Sequence, residues 1–143
     1  MSTVTRYGRS INYLTKEEWF TAKGAAAMFL LQRLGELREE YKKYGAIKRR
    51  NPYFGYKELS EMVQKETGIE VEHHLDMGHL VGELSEDMEK LGIGMISSLV
   101  VTRDYDGAIT PGGGYYKLAA HLGRTVGDKL LFWHGEVNRM VSA

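Results

Sequence analysis

The residues best suited to chemistry in this sequence surround a glycine-rich turn at residues 111–116. Gly112 and Gly114 come just before Tyr115, where a new helix is predicted to begin. A glycine-flanked helix start suits phosphate, because its amide N–H groups and the positive end of the helix dipole point toward a bound anion. Residues that offer charge or a stacking surface lie close by: Arg103, Tyr105, Tyr115 and Lys117. This pattern predicts a site for a phosphorylated ligand such as a nucleotide.

The same glycines have a second interpretation: they form a turn that connects a strand to a helix and bind no ligand. Neither GxxxxGK[ST] nor GxGxxG, the glycine-rich motifs of known phosphate sites, is present. Pro111 has no N–H group to donate and a fixed φ, so it ends a strand, and the glycines that follow allow a tight turn. The sequence leaves both interpretations open, a ligand site and a structural turn.

A second cationic group, Lys48, Arg49 and Arg50, follows the first long helical pattern. Lysine and arginine bind the phosphate groups of nucleic acids. The chain has 19 Lys and Arg residues against 19 Asp and Glu residues, so its formal net charge is zero. Without an overall positive field, a role in nucleic-acid binding depends on a local patch, which we expect to combine these residues with Arg103.

Histidines and carboxylates occur together over residues 72–83, and imidazole with carboxylate suits zinc. His74 and His79 are five positions apart, whereas two ligands on one helix face need a spacing of three or four. His79 and Glu83 do have that spacing, but a solvated polar face is the favoured interpretation, and no metal is predicted. The outward face of the predicted helix continues with Glu86, Asp87 and Lys90 and is acidic, so it would repel phosphate, and this helix is not expected to read DNA. The residues concerned are Glu72, His73, His74, Asp76, His79 and Glu83.

Catalysis, a cofactor and a membrane location are not predicted. The chain has no cysteine, and the HExxH and GxSxG motifs do not occur in it. No apolar run approaches the roughly 20 residues of a membrane span. We therefore expect a cytoplasmic protein that is not an enzyme.

The first third of the chain predicts a flexible arm and one long helix. Residues 1–14 show little hydrophobic periodicity, so they are expected to stay free unless a partner orders them. Thr15 and Glu18 have the spacing of a capping box, and apolar residues then recur at helical intervals, which predicts a helix over residues 15–45. Residues 15–143 are expected to form a single domain.

Residues 56–143 predict a winged helix-turn-helix-like core. Two helices, over residues 56–67 and 72–91, are joined by a short turn. A β-branched strand over residues 95–103 then reverses through an Asp- and Gly-rich turn into a second short strand, which makes a hairpin. Two further helices are predicted over residues 115–122 and 127–141. The expected fold class is α+β, mainly α, with the long N-terminal helix packed on this core.

Motifs in the same region resemble a little-characterised bacterial and phage domain. They are YxxLS at residues 56–60, SLVV at 98–101, PGxGYYxLA at 111–119 and FWxxEVxRMV at 132–141. That domain occurs alone or joined to HNH-type restriction nucleases, and the resemblance implies a winged-helix-like fold without an established activity. This chain departs from the pattern by the extra residues 108–110 and by a third glycine, Gly113, which implies a longer hairpin.

Two functions follow as hypotheses. The first is a non-catalytic interaction module of a phage or mobile element, which binds nucleic acid or a nucleic-acid-handling protein through Lys48, Arg49, Arg50, Arg103 and the hairpin. The alternative is a homo-oligomeric binder that senses or sequesters a phosphorylated small molecule, such as a nucleotide, at the glycine-rich turn.

The length of the first helix predicts a homodimer. About thirty residues at about 1.5 Å each span about 45 Å, more than the roughly 38 Å diameter of a compact domain of this size. The overhanging end carries apolar residues that a partner would bury. A helix that breaks at Gly24 and wraps its own domain is the other possibility. The overhang residues are Trp19, Phe20, Ala25, Ala26 and Phe29 at the start, or Leu37, Tyr41 and Tyr44 at the end.

Overall fold

The longest element is helix α1, Lys16–Tyr44, in a computed structural model of the protein that describes residues 3–143. The hydroxyl of Thr15 accepts the N–H of Glu18, and the Glu18 carboxylate accepts the N–H of Thr15, which completes the predicted capping box. The helix ends at Gly45, whose φ of 71° is one that glycine adopts without strain. The long helix is confirmed, and the alternative break at Gly24 does not occur.

Four further α-helices and a short 3-10 helix complete the helical part of residues 3–143. Helix α1 packs against α2, α3 and α5, so it forms one wall of the core. None of these helices combines the length and the apolar character that a membrane crossing requires. The other helices are α2 (Tyr56–Thr67), α3 (Asp76–Lys90), the 3-10 helix (Ile96–Leu99), α4 (Tyr115–His121) and α5 (Lys129–Ser142).

The strands form two small sheets. Strands β1 (Thr3–Val4) and β2 (Ser10–Ile11) make an antiparallel hairpin. In the second sheet, β4 (Val100–Arg103) lies between β3 (Phe54–Gly55), which runs parallel to it, and β5 (Ile109–Pro111), which runs antiparallel. The β4–β5 hairpin follows the helix pair α2 and α3 as predicted. The fold class, α+β and mainly α with a long N-terminal helix, is confirmed.

The predicted strand over residues 95–103 is only half correct. Residues Ile96–Leu99 form the 3-10 helix, and the strand is limited to Val100–Arg103. The amide of Ser97 donates to the hydroxyl of Ser85 on α3 at 2.7 Å, so it is bonded to a helix side chain instead of a neighbouring strand.

Helix α3 begins later than residue 72. The Glu72 carboxylate accepts the N–H groups of His74, Leu75 and Asp76, so it caps the helix from outside. The connection from α2 is therefore eight residues long, 68–75.

The prediction of a free N-terminal arm is wrong for residues 3–14, while residues 1–2 lie outside the described part. The N–H of Arg6 donates to Glu83 at 2.8 Å, and the Arg9 guanidinium pairs with Asp76. Both acidic groups lie on α3, in the face that was expected to be solvated, and both are buried. The basic arm and the acidic face therefore neutralise each other, which the hydrophobic pattern of the arm does not indicate.

Candidate anion-binding cleft

A cleft of about 920 Å³ opens on the side of the molecule that carries the β4–β5 hairpin. Its walls are the first turn of α2, one face of α3, the hairpin, and α4 with the glycine-rich turn before it. Tyr7, from the β1–β2 hairpin, closes one end, where its ring lies 6.2 Å from the rings of both His79 and His121. The cleft thus collects residues that lie as far apart in the chain as Tyr7 and His121.

The lining of the cleft is basic, although the chain as a whole is neutral. Three cationic side chains and four of the chain's five histidines line it, and within residues 3–143 no Asp or Glu does so. A concave surface lined by one sign of charge concentrates ligands of the opposite sign. The arrangement favours an anion. The basic and imidazole groups are Lys57, Arg103, Lys117, His73, His74, His79 and His121.

Tyrosines supply the other large part of the lining. Burial raises the pKa of all four, and that of Tyr56 reaches about 12, so each keeps its proton at neutral pH. The hydroxyl of Tyr115 lies 2.6 Å from that of Ser98, which fixes its ring at the base of α4. Neutral aromatic rings beside cations suit a ligand that has both a flat ring and a negative charge. The four are Tyr7, Tyr53, Tyr56 and Tyr115.

The glycines of the turn differ from one another. A Cβ atom on Gly112 would lie 2.6 Å from the hydroxyl oxygen of Tyr56, so glycine is needed there for close packing. A Cβ atom on Gly113 or Gly114 would have no heavy atom of the described residues within 4 Å, and both glycines border the cleft. Gly112 is therefore required for close packing against Tyr56, whereas Gly113 and Gly114 leave open space at the mouth of the cleft.

His79 is the most constrained of the cleft histidines. Its Nδ1 lies 3.0 Å from the hydroxyl of Thr5 on the N-terminal hairpin. Burial lowers the pKa of His79, and the nearby Arg9 lowers it further, so the ring is neutral at pH 7. A neutral ring here offers hydrogen bonds to a ligand without adding charge.

Five of the predicted site residues come together in the cleft: Arg103, Gly112, Gly114, Tyr115 and Lys117. Arg103 also braces the hairpin, because its Nη1 donates to the carbonyl of Gly107 at 2.9 Å. Tyr105 lies at the tip of the hairpin, 97% exposed, and outside the lining.

The basic segment lies outside the cleft as well. The Arg49 guanidinium pairs with Glu36 at 3.0 Å and with Glu40, and these carboxylates raise the pKa of Arg49. The N–H groups of Lys48 and Arg49 both donate to Glu40. Much of this segment's charge is thus neutralised by α1, while Arg50 is exposed. The structure does not join it to Arg103, and a role in nucleic-acid binding stays a prediction.

Sequence reasoning missed the largest part of the lining. Lys57 lies in the first turn of α2, and three of the histidines lie between α2 and α3 or on α3, all far from the glycine turn in the sequence. Only His121, at the end of α4, lies near that turn in the sequence. The density of histidine over residues 73–79 is the one signal in the sequence that could have indicated this part of the lining.

One group of possible metal ligands does exist. Ligand atoms of Glu72, His73 and His74 lie within 4.8 Å of one another, at the edge of the cleft. His74 and His79 have the wrong spacing for one helix face, but His73 and His74 lie before α3, where helical spacing does not apply. Three protein ligands occur in catalytic zinc sites, where water takes the fourth position. The Glu72 oxygens also accept three N–H groups as the cap of α3, so capping accounts for this carboxylate without a metal.

Comparison with known proteins adds nothing to this description. No protein-family model matches the chain, and neither the curated proteins nor the solved structures that were searched give a match. The resemblance to the bacterial and phage domain stays a prediction from its motifs.

Proposed function

We propose that this protein binds a phosphorylated small molecule, with a nucleotide as the ligand class, in the cleft. One observation carries the proposal: the cleft is lined by three cations and four histidines, and by no Asp or Glu of residues 3–143. Its volume of about 920 Å³ lies within the usual range for small-molecule sites, roughly 300–1,000 Å³. The function is sensing or sequestering of the ligand, without a chemical step.

The three cations come to the cleft from three different elements. Lys57 stands at the start of α2, Arg103 on the hairpin and Lys117 on α4. Phosphate oxygens accept charge-assisted hydrogen bonds from such groups, which are roughly twice as strong as neutral ones. The tyrosine rings offer the base a stacking surface, so one ligand satisfies both kinds of lining.

A nucleotide panel in a thermal-shift assay, followed by calorimetry, tests this proposal. A ligand that binds only the folded state stabilises it by about 2.7 kcal/mol at about 100 times its Kd, so the melting temperature rises. The variants Lys57→Glu and Lys117→Glu are expected to weaken binding by about tenfold or more, because each loses an ionic contact and adds repulsion. Lys65→Glu is the matched control, since Lys65 lies on the same helix as Lys57 but outside the lining.

The panel includes inorganic phosphate and unphosphorylated nucleosides. A nucleotide that binds more tightly than either supports a site for both phosphate and base. The proposal is contradicted if no nucleotide shifts the melting temperature, or if Lys65→Glu weakens binding as much as the two cleft variants do.

Nucleic-acid binding is the second candidate, and the exposure of Tyr105 favours it. This ring stands at the tip of the hairpin beyond Arg103, a position from which it could stack on a base of a single strand. Fluorescence polarisation with single- and double-stranded oligonucleotides at about 50 and 200 mM salt tests it, because phosphate contacts weaken steeply over that range. Salt-dependent binding that Tyr105→Ala removes supports this candidate. If replacing Lys48, Arg49 and Arg50 leaves this binding unchanged, the hairpin binds the oligonucleotide and the basic segment does not.

A further inference from the structure

Helix α1 presents an apolar stripe to solvent. Phe20 is 61% exposed, Met28 46% and Leu31 38%. Two exposed glycines continue the stripe: Gly24 lies between Phe20 and Met28, and Gly35 follows Leu31. Successive spacings of four, four, three and four residues place all five on one face of the helix. We propose that this stripe is a homodimer interface, in which two copies of α1 pack antiparallel.

Apart from Phe20, which belongs to both, the stripe differs from the residues that helix length predicted for a dimer. Trp19, Ala25, Ala26 and Leu37 are buried in the chain's own core, because they face α2, α3 and α5. The expectation that they overhang the domain is wrong. The opposite face of the same helix remains available for a second copy.

The stripe is complementary to itself in one antiparallel register. When the two-fold axis passes between residues 27 and 28, Phe20 lies opposite Gly35 of the partner subunit. Leu31 then lies opposite the partner's Gly24. Phe20 and Leu31 therefore each meet a glycine, Met28 meets the small Ala27, and the absence of large side chains at these positions lets two helices approach closely. By symmetry each contact occurs twice.

Charges at the ends of the stripe support the same register independently. Lys16 lies opposite the partner's Glu39, and Glu17 opposite the partner's Arg38. A parallel pair would instead put each of these residues beside its own copy, which brings like charges together. Arg38 already donates from its Nε to the carbonyl of Met140 at 2.9 Å, so its Nη groups serve the contact with the partner's Glu17. Charge pattern and shape thus indicate a second copy of this chain as the occupant.

Gly35 allows a test that separates assembly from folding. A Cβ atom there would have no heavy atom of residues 3–143 within 4 Å, so a larger side chain fits the isolated chain. Replacing a helical glycine also favours the helix itself. In the dimer, the leucine of Gly35→Leu occupies the space that Phe20 of the partner subunit needs. Gly135→Leu on α5 is the matched control, since that glycine is also helical with open space around it.

The mass in solution is measured by light scattering and sedimentation at about 1–100 μM, because dimerisation depends on concentration. The wild-type protein is expected at twice the 16.2 kDa of one chain. Gly35→Leu should raise the dimer dissociation constant at least about tenfold while the chain stays folded, and Gly135→Leu should leave the constant unchanged. A monomer throughout this range, or a dimer that Gly35→Leu leaves intact, overturns the proposal.

Two further variants test the register. Lys16→Glu is expected to weaken the dimer, and Lys16→Glu with Glu39→Lys to restore it, because the exchanged charges again face opposite signs. Since the chain has no cysteine, Met28→Cys introduces a single thiol beside the two-fold axis and should cross-link on mild oxidation. Gln32→Cys should not, because in this register its two copies are about 13 Å apart along the helices, beyond the reach of a disulfide. A double variant that stays weak, or equal cross-linking of both cysteine variants, contradicts the antiparallel register.

Discussion

Replacement of Glu136 by glutamine tests the charge network that holds α5 to the rest of the fold. Glu136 is 2% exposed. It accepts the N–H of Met95 at 2.9 Å and hydrogen bonds from Arg124 at 2.6 Å and Arg139 at 2.7 Å. Glutamine keeps the size of the side chain but removes the negative charge, so both guanidinium groups lose their main partner.

The pKa of Glu136 gives the magnitude. Burial would raise it, but the hydrogen bonds from Arg124, Arg139 and Met95 outweigh burial and lower it from its ordinary value of 4.5 to about 2. At about 1.4 kcal/mol for each pH unit, this difference corresponds to about 3 kcal/mol of stability. Because Arg139 is half exposed, water screens part of its contribution, and we expect a loss of about 2–3 kcal/mol in Glu136→Gln at pH 7.

The assay is urea denaturation followed by circular dichroism, from pH 7 down to pH 2.5. A carboxylate whose pKa is lowered by folding stabilises the protein fully above about pH 4.5, and this contribution is lost as the pH falls toward 2. The difference in the free energy of unfolding between wild type and Glu136→Gln should therefore shrink in acid. Glu89→Gln is the control, since Glu89 pairs with the same Arg124 from a more exposed position, and it should cost less than about 1 kcal/mol.

Two results would refute this reasoning. A difference in the free energy of unfolding below about 1 kcal/mol at pH 7 would show that the ion pairs of Glu136 stabilise the fold no more than ordinary surface ion pairs do. A difference that stays constant from pH 7 to pH 2.5 would show that the loss of stability comes from packing around the amide and not from the lost charge.

Three further variants test other parts of the fold. Gly112→Ala should destabilise the protein by about 1–3 kcal/mol through overlap with the Tyr56 hydroxyl, and adding Tyr56→Phe should recover part of the loss in thermal denaturation. Glu83→Gln deprives the buried Lys23 ammonium of a carboxylate at 2.7 Å and should cost about 3–5 kcal/mol in urea denaturation. Deletion of residues 1–9 should lower the melting temperature clearly, whereas a free arm would leave it unchanged.

The parts of the fold that the sequence predicted well have local signals. The start of α1 follows from Thr15 and Glu18, and its end from Gly45, so the observed bounds lie within one residue of the predicted ones. Helix α2 ends at Thr67, before Gly68, for the same reason. In these places the chemistry that sets the boundary lies within four residues of it.

The parts that were missed depend on contacts between distant residues. The 3-10 helix is held by Ser85, twelve positions before Ser97, and a β-branched pattern cannot indicate such a contact. The arm is ordered by Asp76 and Glu83, whose acidic face predicts solvent exposure when it is considered alone.

The residues of the candidate site also fall into those that local sequence predicted and those that depend on distant contacts. Arg103 and Lys117 flank the glycine turn in the sequence, so their convergence was predictable. Lys57 and His79 reach the cleft only because α2 and α3 fold against the hairpin. No pattern within any short window connects them, which is why the basic lining became visible only in the structure.

The N-terminal hairpin contacts residues of α3 that follow it by 67 to 81 positions in the chain. During synthesis it therefore leaves the ribosome well before the surface that will hold it has been made. Contacts between such distant segments form late in folding, because a long loop must close first. Since Tyr7 of this hairpin closes one end of the cleft, we expect a newly made chain to complete the cleft late in folding.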